Sequence, residues 1–153
     1  MHVYRYMVGA ALLALSIGSA ACDESLPDIT GPTPNLVPTF SSIQTEIFSN
    51  SDSSGRAACT QCHNAIGRLF NGLDLSPAVA YANLVNRAST GKPGATRVIP
   101  GDSENSYLIH KLEGRPGIVG VRMPLSGPPY LTDGQILVIK LDRTGRAQRL
   151  GAD

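Results

Sequence analysis

Apolar side chains recur with a helical period in four segments after residue 38, and none of these segments shows the strict alternation of a β-strand. The first helix is predicted over residues 39–49, with apolar side chains at positions 40, 43, 47 and 48. The second is predicted over residues 76–85, because Ser76 and Pro77 supply an N-cap and a first-turn proline. The third is predicted over about residues 102–113, closed by the glycine that follows.

The last predicted helix, which continues to about residue 141, has the clearest start. Thr132 and Gln135 have the spacing of a capping box, and Leu131 and Ile136 have the spacing of a hydrophobic staple. Helices without a competing strand signal predict an all-α fold.

Long segments rich in glycine and proline separate these helices, at residues 91–101 and 114–129. Loops of this length in a small domain usually enclose a ligand or carry function. Before the first helix, residues 22–38 contain four prolines and no apolar period, which predicts a flexible, extended tether outside the core. The folded domain is therefore predicted over residues 39–153.

The first 21 residues have the pattern of a signal peptide, with Arg5 in a polar head and an apolar run over residues 7–17. The run is too short to span a bilayer, which needs about 20 apolar residues. The stretch "IGSAAC" resembles the lipobox of bacterial lipoproteins, in which Cys22 becomes the lipidated N-terminus. Ser19 occupies the position where leucine is preferred, so cleavage that leaves Cys22 free is the alternative. The pattern predicts export to the periplasm and a lipid anchor.

The charges exclude one class of partner. The chain has 13 basic and 12 acidic residues, and removal of the leader with Arg5 leaves 12 of each, so the mature chain is formally neutral. No two Lys or Arg residues are adjacent, which argues against binding to nucleic acid. We expect a mixed, solvated surface.

The stretch "CTQCHNAIG" places Cys59, Cys62 and His63 within five positions. On a helical turn these side chains share a face, and C-x-x-C-H is the arrangement that holds haem c through two thioethers and an iron-binding histidine. A redox dithiol is one alternative, but no βαβ pattern surrounds the two cysteines. A structural disulfide is another, but it would close only a very short loop. Zinc would need His110 as the fourth ligand. The motif therefore predicts one covalent haem c.

Two side chains remain as candidates for the sixth iron ligand after processing, Met123 and His110. Met123 lies in the loop "VRMPLSG", where a side chain is free of helical constraint, and packing is its alternative role. His110 lies beside Lys111 on a predicted helix, where a partly exposed surface histidine is expected. Met123 is preferred because His/Met ligation is typical of electron-carrying cytochromes c.

A haem also accounts for a composition with little bulky core material, since the chain has five tyrosines, three phenylalanines and no tryptophan. A porphyrin buries enough apolar surface to contribute on the order of 10 kcal/mol, at ~25 cal/mol per Å². The haem-free chain is therefore expected to be poorly folded. Arg97 and Arg122 are candidate partners of the haem propionates, with an ordinary surface role as the alternative for each.

Over about residues 40–141 the chain resembles the class I-like monohaem cytochrome c domains of bacterial exported proteins. Besides the haem motif, the segments "GLDLS", "VIPGDSENSYLIHKL", "RMP" and "YLTDGQILVIKL" are similar to segments that occur in that order in such domains. The resemblance implies a cytochrome c fold whose terminal helices pack together, with His63 proximal and Met123 distal. It also implies three further residues near the haem: Leu73, Pro100 and Gly101.

The C-terminal end departs from that family pattern. Such domains commonly finish with Trp-Ile-x-x-Gly-Ala, whereas this chain has "LDRTGRA", with Leu141 in place of the tryptophan. A frameshift is one hypothesis, since the codons CTG GAT CGA ACC GGG CGC GCA become TGG ATC GAA CCG GGC GCG when the first base is dropped. Otherwise the last 12 residues form a polar tail. Resequencing of the gene decides between the two.

The sequence thus predicts a monohaem c-type cytochrome, not an enzyme, that carries single electrons between redox partner proteins. The alternative is a haem enzyme, or a peroxide- or gas-binding protein, with an open sixth coordination site. A third class is a haem-free module that uses Cys59 and Cys62 for metal or disulfide chemistry.

Overall fold

The computed structural model describes residues 29–142. The predicted signal peptide, Cys22 and the segment after residue 142 lie outside the described residues. Within residues 29–142, no helix combines the length and the apolar character needed to cross a bilayer.

Short helices joined by long loops form the described part of the chain, which contains no β-strand. The helices are α1 (Phe40–Ile43), α2 (Arg68–Asn71), α3 (Ala80–Leu84), α4 (Tyr107–Glu113) and α5 (Asp133–Lys140). A π-helical turn, Gln44–Phe48, extends α1, and a 3₁₀ turn, Cys59–Gln61, precedes α2. Isolated β-bridges organise the loop after α3.

The first predicted helix is confirmed, but it changes geometry part-way. Thr39 caps α1 by accepting a hydrogen bond from the Ser42 backbone nitrogen. Beyond α1 the backbone bonds reach one residue further, as from Ser49 N to the Gln44 carbonyl at 2.9 Å. The buried Gln44 side chain also donates to Ser49 Oγ and to the Leu75 carbonyl, each at 3.0 Å. Apolar periodicity does not reveal this polar cross-link, so the wider turn was not predicted.

The other predicted helices are present and shorter than expected. Helix α4 begins at Tyr107, because Asp102 Oδ1 accepts a hydrogen bond from Asn105 N at 3.1 Å and forms a turn there. Helix α5 has the predicted capping box, in which Thr132 and Gln135 exchange side-chain to backbone hydrogen bonds. Helix α3 covers only the second half of its predicted range. Helix α2 was not predicted.

A single apolar core lies between α1 with its π-helical turn, α4 and α5. Phe40 contacts the rings of Phe48 and Tyr81 edge-on, at centroid distances of 6.2 and 5.1 Å. The buried apolar members of this core are Leu36, Ile43, Ile47, Phe48, Leu75, Ala80, Leu84, Ile109, Leu112, Leu131, Ile136, Val138 and Ile139. The core therefore combines residues from both ends of the domain.

Residues 29–38 pack against α5, which corrects the predicted tether. Leu36 is 0% exposed and belongs to the core. Gln135 Nε2 donates a hydrogen bond to Thr33 Oγ1 at 3.0 Å, and a Cβ at Gly134 would lie 1.8 Å from the Ile29 carbonyl oxygen. The prediction of a free tether is wrong for this stretch, because one buried leucine and side-chain hydrogen bonds hold a segment that has no apolar period. Residues 22–28 lie outside the described residues.

Four charged side chains link the loop before α4, α4 itself and α5. Lys140 Nζ lies 2.6 Å from Glu113 Oε1 and 3.2 Å from Glu104 Oε1. Arg115 Nη2 lies 2.7 Å from Glu104 Oε2, and Arg115 Nε contacts Glu113. An isolated surface pair contributes little, but a shared network holds these segments together more effectively.

Candidate functional site

One cavity collects all four residues that the sequence predicts to hold a cofactor. Its volume of about 580 Å³ lies within the range of roughly 300–1,000 Å³ that is usual for ligand and cofactor sites. The predicted cofactor residues on its wall are Cys59, Cys62, His63 and Met123. Most of the remaining wall is apolar and includes Leu73, Leu75, Leu84, Tyr107, Leu108 and Leu112.

The backbone around the C-x-x-C-H segment, residues 59–63, explains how its side chains reach one wall. The Cys59 carbonyl accepts hydrogen bonds from Cys62 N at 3.2 Å and from His63 N at 2.8 Å, which coils the segment into a tight turn. The following chain then folds back on it. Asn71 Nδ2 donates to the Cys62 carbonyl at 2.9 Å, and a Cβ at Gly67 would lie 1.8 Å from the same oxygen.

His63 presents a partly buried imidazole to the cavity. Burial lowers the pKa of His63, and this exceeds the opposing effects of the Leu73 backbone and the Asn71 side chain. The side chain is therefore neutral near pH 7, which is the form that binds metal ions. Nδ1 is buried and has no hydrogen-bond partner in the described part of the chain. A buried ring nitrogen without a partner is a group that a metal ion or a water molecule normally satisfies.

The two cysteines are free thiols in different surroundings. Cys62 is exposed, whereas Cys59 is partly buried, with its Sγ 3.5 Å from the Ile47 carbonyl oxygen. Burial raises the pKa of the Cys59 thiol, and the charge of Arg56 partly opposes that shift. Cys59 is therefore the more confined member of the pair.

Met123 lies on the cavity wall because α4 holds its loop. Met123 N donates a hydrogen bond to the Lys111 carbonyl at 2.9 Å, and Arg122 Nε donates to the Leu112 carbonyl at 2.7 Å. Its side chain packs against the apolar core. The structure therefore brings Met123 and His63 to one cavity although they are far apart in the sequence.

His110, the other sequence candidate for an iron ligand, is absent from this wall. Its Nε2 lies 2.6 Å from the Glu104 carbonyl oxygen, to which a protonated Nε2 donates a hydrogen bond. This contact engages the ring in a local turn at the surface. Between the two candidates, the geometry favours Met123.

Two cationic side chains, Arg97 and Lys111, lie on the cavity wall, and none of the described wall residues is acidic. Arg97 donates hydrogen bonds of 2.7 Å to the carbonyls of Gly72 and Asn83, and burial lowers its pKa. Burial also lowers the pKa of Lys111. Arg122, the second sequence candidate for propionate binding, lies instead over the Tyr130 ring, 4.3 Å from its centroid.

The position of Lys111 on the cavity wall was not predicted, although the residue pattern of the helix indicates it. The cavity wall includes four residues of α4, namely Tyr107, Leu108, Lys111 and Leu112. They are one, three and four positions apart, which is the spacing of side chains on one helix face. A lysine in the middle of an apolar helix face points its stem along the apolar surface and its ammonium group towards the edge. Here Lys111 Nζ donates to the Val119 carbonyl at 2.9 Å.

The three residues that the family resemblance places near a haem separate into two groups. Leu73 lines the large cavity, whereas Pro100 and Gly101 line a second cavity of about 270 Å³. That cavity also contacts Leu141, the residue in the position of the family's tryptophan. The two cavities share three wall residues, namely Phe48, Leu84 and Leu108. Pro100 and Gly101 therefore line a cavity that adjoins the candidate site, and they do not line the site itself.

Comparison with known proteins adds no assignment, because no protein-family model, curated protein or solved structure matches the chain. Within residues 29–142, no group of three or more His, Cys, Asp or Glu side chains is arranged to hold a metal ion by itself. The site is therefore interpreted from its own residues.

Proposed function

We propose that the chain is an exported monohaem c-type cytochrome that carries single electrons between redox partner proteins. The observation that supports this most directly is the shared cavity wall of Cys59, Cys62, His63 and Met123. The first three come from one motif, and Met123 comes from a distant loop.

Each of these residues has a role that its position supports. Cys59 and Cys62 would attach a porphyrin by thioether bonds, and His63 and Met123 would bind its iron from the two sides. The bound haem supplies the one-electron chemistry, while the chain orients it and keeps water from it through the apolar wall. Two ligands on the iron leave no open position for a substrate, which favours electron transfer over catalysis.

The charge distribution of the wall fits the same ligand. A haem is a flat apolar ring with two carboxylates at one edge, and this wall is apolar with Arg97 and Lys111 as its charged members. We propose that these two cations interact with the propionates. Arg122 is not proposed for this role, because its guanidinium group stacks on Tyr130.

The cavity mouth offers a small apolar contact area for a redox partner. Val119 and Leu125 line the cavity and are 54% and 71% exposed. Because the mature chain has no net charge, docking would depend on short-range apolar contact more than on electrostatic steering. Export and lipid attachment at Cys22 rest on the leader pattern, which lies outside the described residues.

Optical spectra of the purified protein test this proposal. The wild-type protein should carry one haem that stays with the polypeptide after denaturation, and its reduced form should not bind carbon monoxide. Met123→Ala should lose the far-red sulfur-to-iron band of the oxidised protein and should bind carbon monoxide when reduced. Val121→Ala, a change on the same loop at an exposed side chain that does not line the cavity, is the matched control and should keep the wild-type spectra.

Two results would contradict the proposal in different ways. A colourless, compactly folded protein from cells that attach haem would exclude a cytochrome. Binding of carbon monoxide to the intact reduced wild type would replace electron transfer with the open-site alternative of a haem enzyme or a gas-binding protein.

A further inference from the structure

A buried arginine lies three residues before the first cysteine of the haem motif. The side chain of Arg56 is 0% exposed, and its guanidinium group makes five hydrogen bonds, one for each of its N–H groups. The acceptors are Asp52 Oδ2 at 2.9 Å and the carbonyls of Glu46 at 3.4 Å, Ile47 at 3.2 Å, Asn50 at 3.2 Å and Ala57 at 3.0 Å. A buried charge that is fully paired in this way tolerates little movement.

The partner of Arg56 connects this arrangement to the C-terminal helix. The Asp52 side chain is 2% exposed, and its Oδ1 accepts hydrogen bonds from Ser54 N at 3.0 Å and from Arg56 N at 3.3 Å. Its Oδ2 also accepts a weaker contact of 3.4 Å from Gln135 Nε2 on α5. The loop over residues 49–58 has no helix or strand of its own, so its path depends on side-chain bonds such as these together with a few backbone bonds within the loop.

Arg56 and Cys59 both contact the same hydrogen-bond acceptor, the carbonyl oxygen of Ile47. The Ile47 carbonyl oxygen accepts a hydrogen bond from Arg56 Nη1 at 3.2 Å and lies 3.5 Å from Cys59 Sγ. The Cys59 thiol therefore takes its position from the same group that Arg56 binds. In the described part of the chain, the exposed side chain of Cys62 makes no hydrogen bond to Arg56 or to the Ile47 carbonyl.

We propose that Arg56 positions Cys59 for thioether formation and has no such role for Cys62. This inference rests on the proposed function. In the reaction the Cys59 S–H bond breaks, an S–C bond forms to one carbon of a haem vinyl group, and the proton adds to the other carbon. No electron is gained or lost, so the step needs no oxidant or reductant. Arg56 is a positioning residue that acts through the Ile47 carbonyl.

The experiment compares the haem attachment of Arg56→Met and Arg56→Lys with that of the wild type. The pyridine haemochrome spectrum distinguishes one thioether from two, and Cys59→Ala supplies the reference spectrum for one. Alkylation followed by peptide mapping identifies which cysteine is free. We expect Arg56→Met to retain the thioether at Cys62 and to show a free Cys59 thiol in most haem-containing molecules. Arg115→Met, which removes a surface arginine, is the matched control and should keep both thioethers.

The outcomes separate positioning from general stability. If Arg56 only stabilised the fold, fewer molecules would contain haem, but each would carry two thioethers, and that result overturns the proposal. If Arg56→Met does not accumulate, Arg56→Lys decides, because a free Cys59 thiol in it supports positioning and two intact thioethers refute it. A wild type without covalent haem would instead refute the proposed function. Two thioethers in the wild type and in every Arg56 variant would refute this inference alone.

Discussion

The Tyr107 hydroxyl accepts a hydrogen bond from the Val119 amide at 2.9 Å, which ties α4 to the loop that carries Met123. The same helix provides the Lys111 carbonyl that binds Met123 N. Helix α4 therefore forms one wall of the cavity and also sets the position of the proposed sixth ligand.

Removing that hydroxyl should loosen the ligand loop. Tyr107→Phe keeps the ring and removes one hydrogen bond, so we expect a loss of about 1 kcal/mol in the free energy of unfolding. The ferric protein should also bind added imidazole more tightly, because Met123 is displaced more easily. Urea unfolding and imidazole titration measure the two effects. Tyr130→Phe, in the same loop, is the control, and equal imidazole affinity in both variants would contradict the prediction.

Gly67 is required by a close approach to the haem motif. A Cβ at this position would lie 1.8 Å from the Cys62 carbonyl oxygen, whereas a Cβ at Gly91 would have nothing within 4 Å. Gly67→Ala should therefore shift the C-x-x-C-H segment and destabilise the protein by about 1–3 kcal/mol, a cost typical of overpacking. Gly91 lines the large cavity, so Gly91→Ala is the control for an added methyl group there and should cost less than Gly67→Ala. Thermal unfolding of the haem-containing proteins tests this, and equal melting temperatures would show that the segment moves without cost.

Filling the smaller cavity should stabilise the domain. Leu141 lines this cavity of about 270 Å³ and is 45% exposed. Leu141→Trp adds apolar volume there, and we expect a gain of about 0.5–2 kcal/mol, as is common for cavity filling. Leu137→Trp places the same residue at an equally exposed position of α5 that does not line the cavity. If urea unfolding shows no advantage of position 141 over position 137, a tryptophan does not fit the cavity.

The ion network between α4 and α5 should make the protein sensitive to acid. Hydrogen bonds with Arg115 and Lys140 lower the pKa of Glu104, and for Glu113 burial raises the pKa but contacts with Lys140 and Arg115 outweigh it. Their contribution to stability is therefore fully present above the ordinary glutamate pKa of 4.5 and is lost as the pH falls through the lower folded-state values. Urea unfolding at a series of pH values measures this loss.

A pair of variants checks the source of the acid sensitivity. Lys140→Gln should reduce the loss of stability on acidification, because it removes one of the two cations that favour the charged carboxylates. Lys140→Arg keeps the charge and should behave like the wild type. Identical pH profiles for the two variants would assign the acid sensitivity to other groups.

Local chemistry made several parts of this structure predictable. The Thr132 and Gln135 capping box depends on four consecutive residues, and the tight turn that brings Cys59 and His63 to one wall depends on five. Counting the few side chains able to bind iron leaves Met123 and His110, and the preference for Met123 depends on the His/Met ligation typical of electron-carrying cytochromes c. The assignment of haem and the family resemblance stay predictions.

Other parts depend on contacts between distant residues, which a linear pattern does not show. Leu36 is buried in the core although its segment looks like a linker, because contacts of that segment with α5 hold it against the domain. Arg56 has the sequence environment of a loop residue, and its burial depends on carbonyls that are left free where the first helix ends. The expected position of Pro100 near the haem depends on family likeness alone, and the structure places Pro100 on the wall of the smaller cavity, which adjoins the candidate site.

Both cavities are lined by the same three residues, Phe48, Leu84 and Leu108, and this has a consequence for how the protein matures. If the proposed haem occupies the larger cavity, these three side chains pack between it and the smaller cavity, so their packing depends on the haem. Under the proposed function, haem attachment and the completion of folding would be coupled, and the haem-free chain would be the form that proteases cleave more easily.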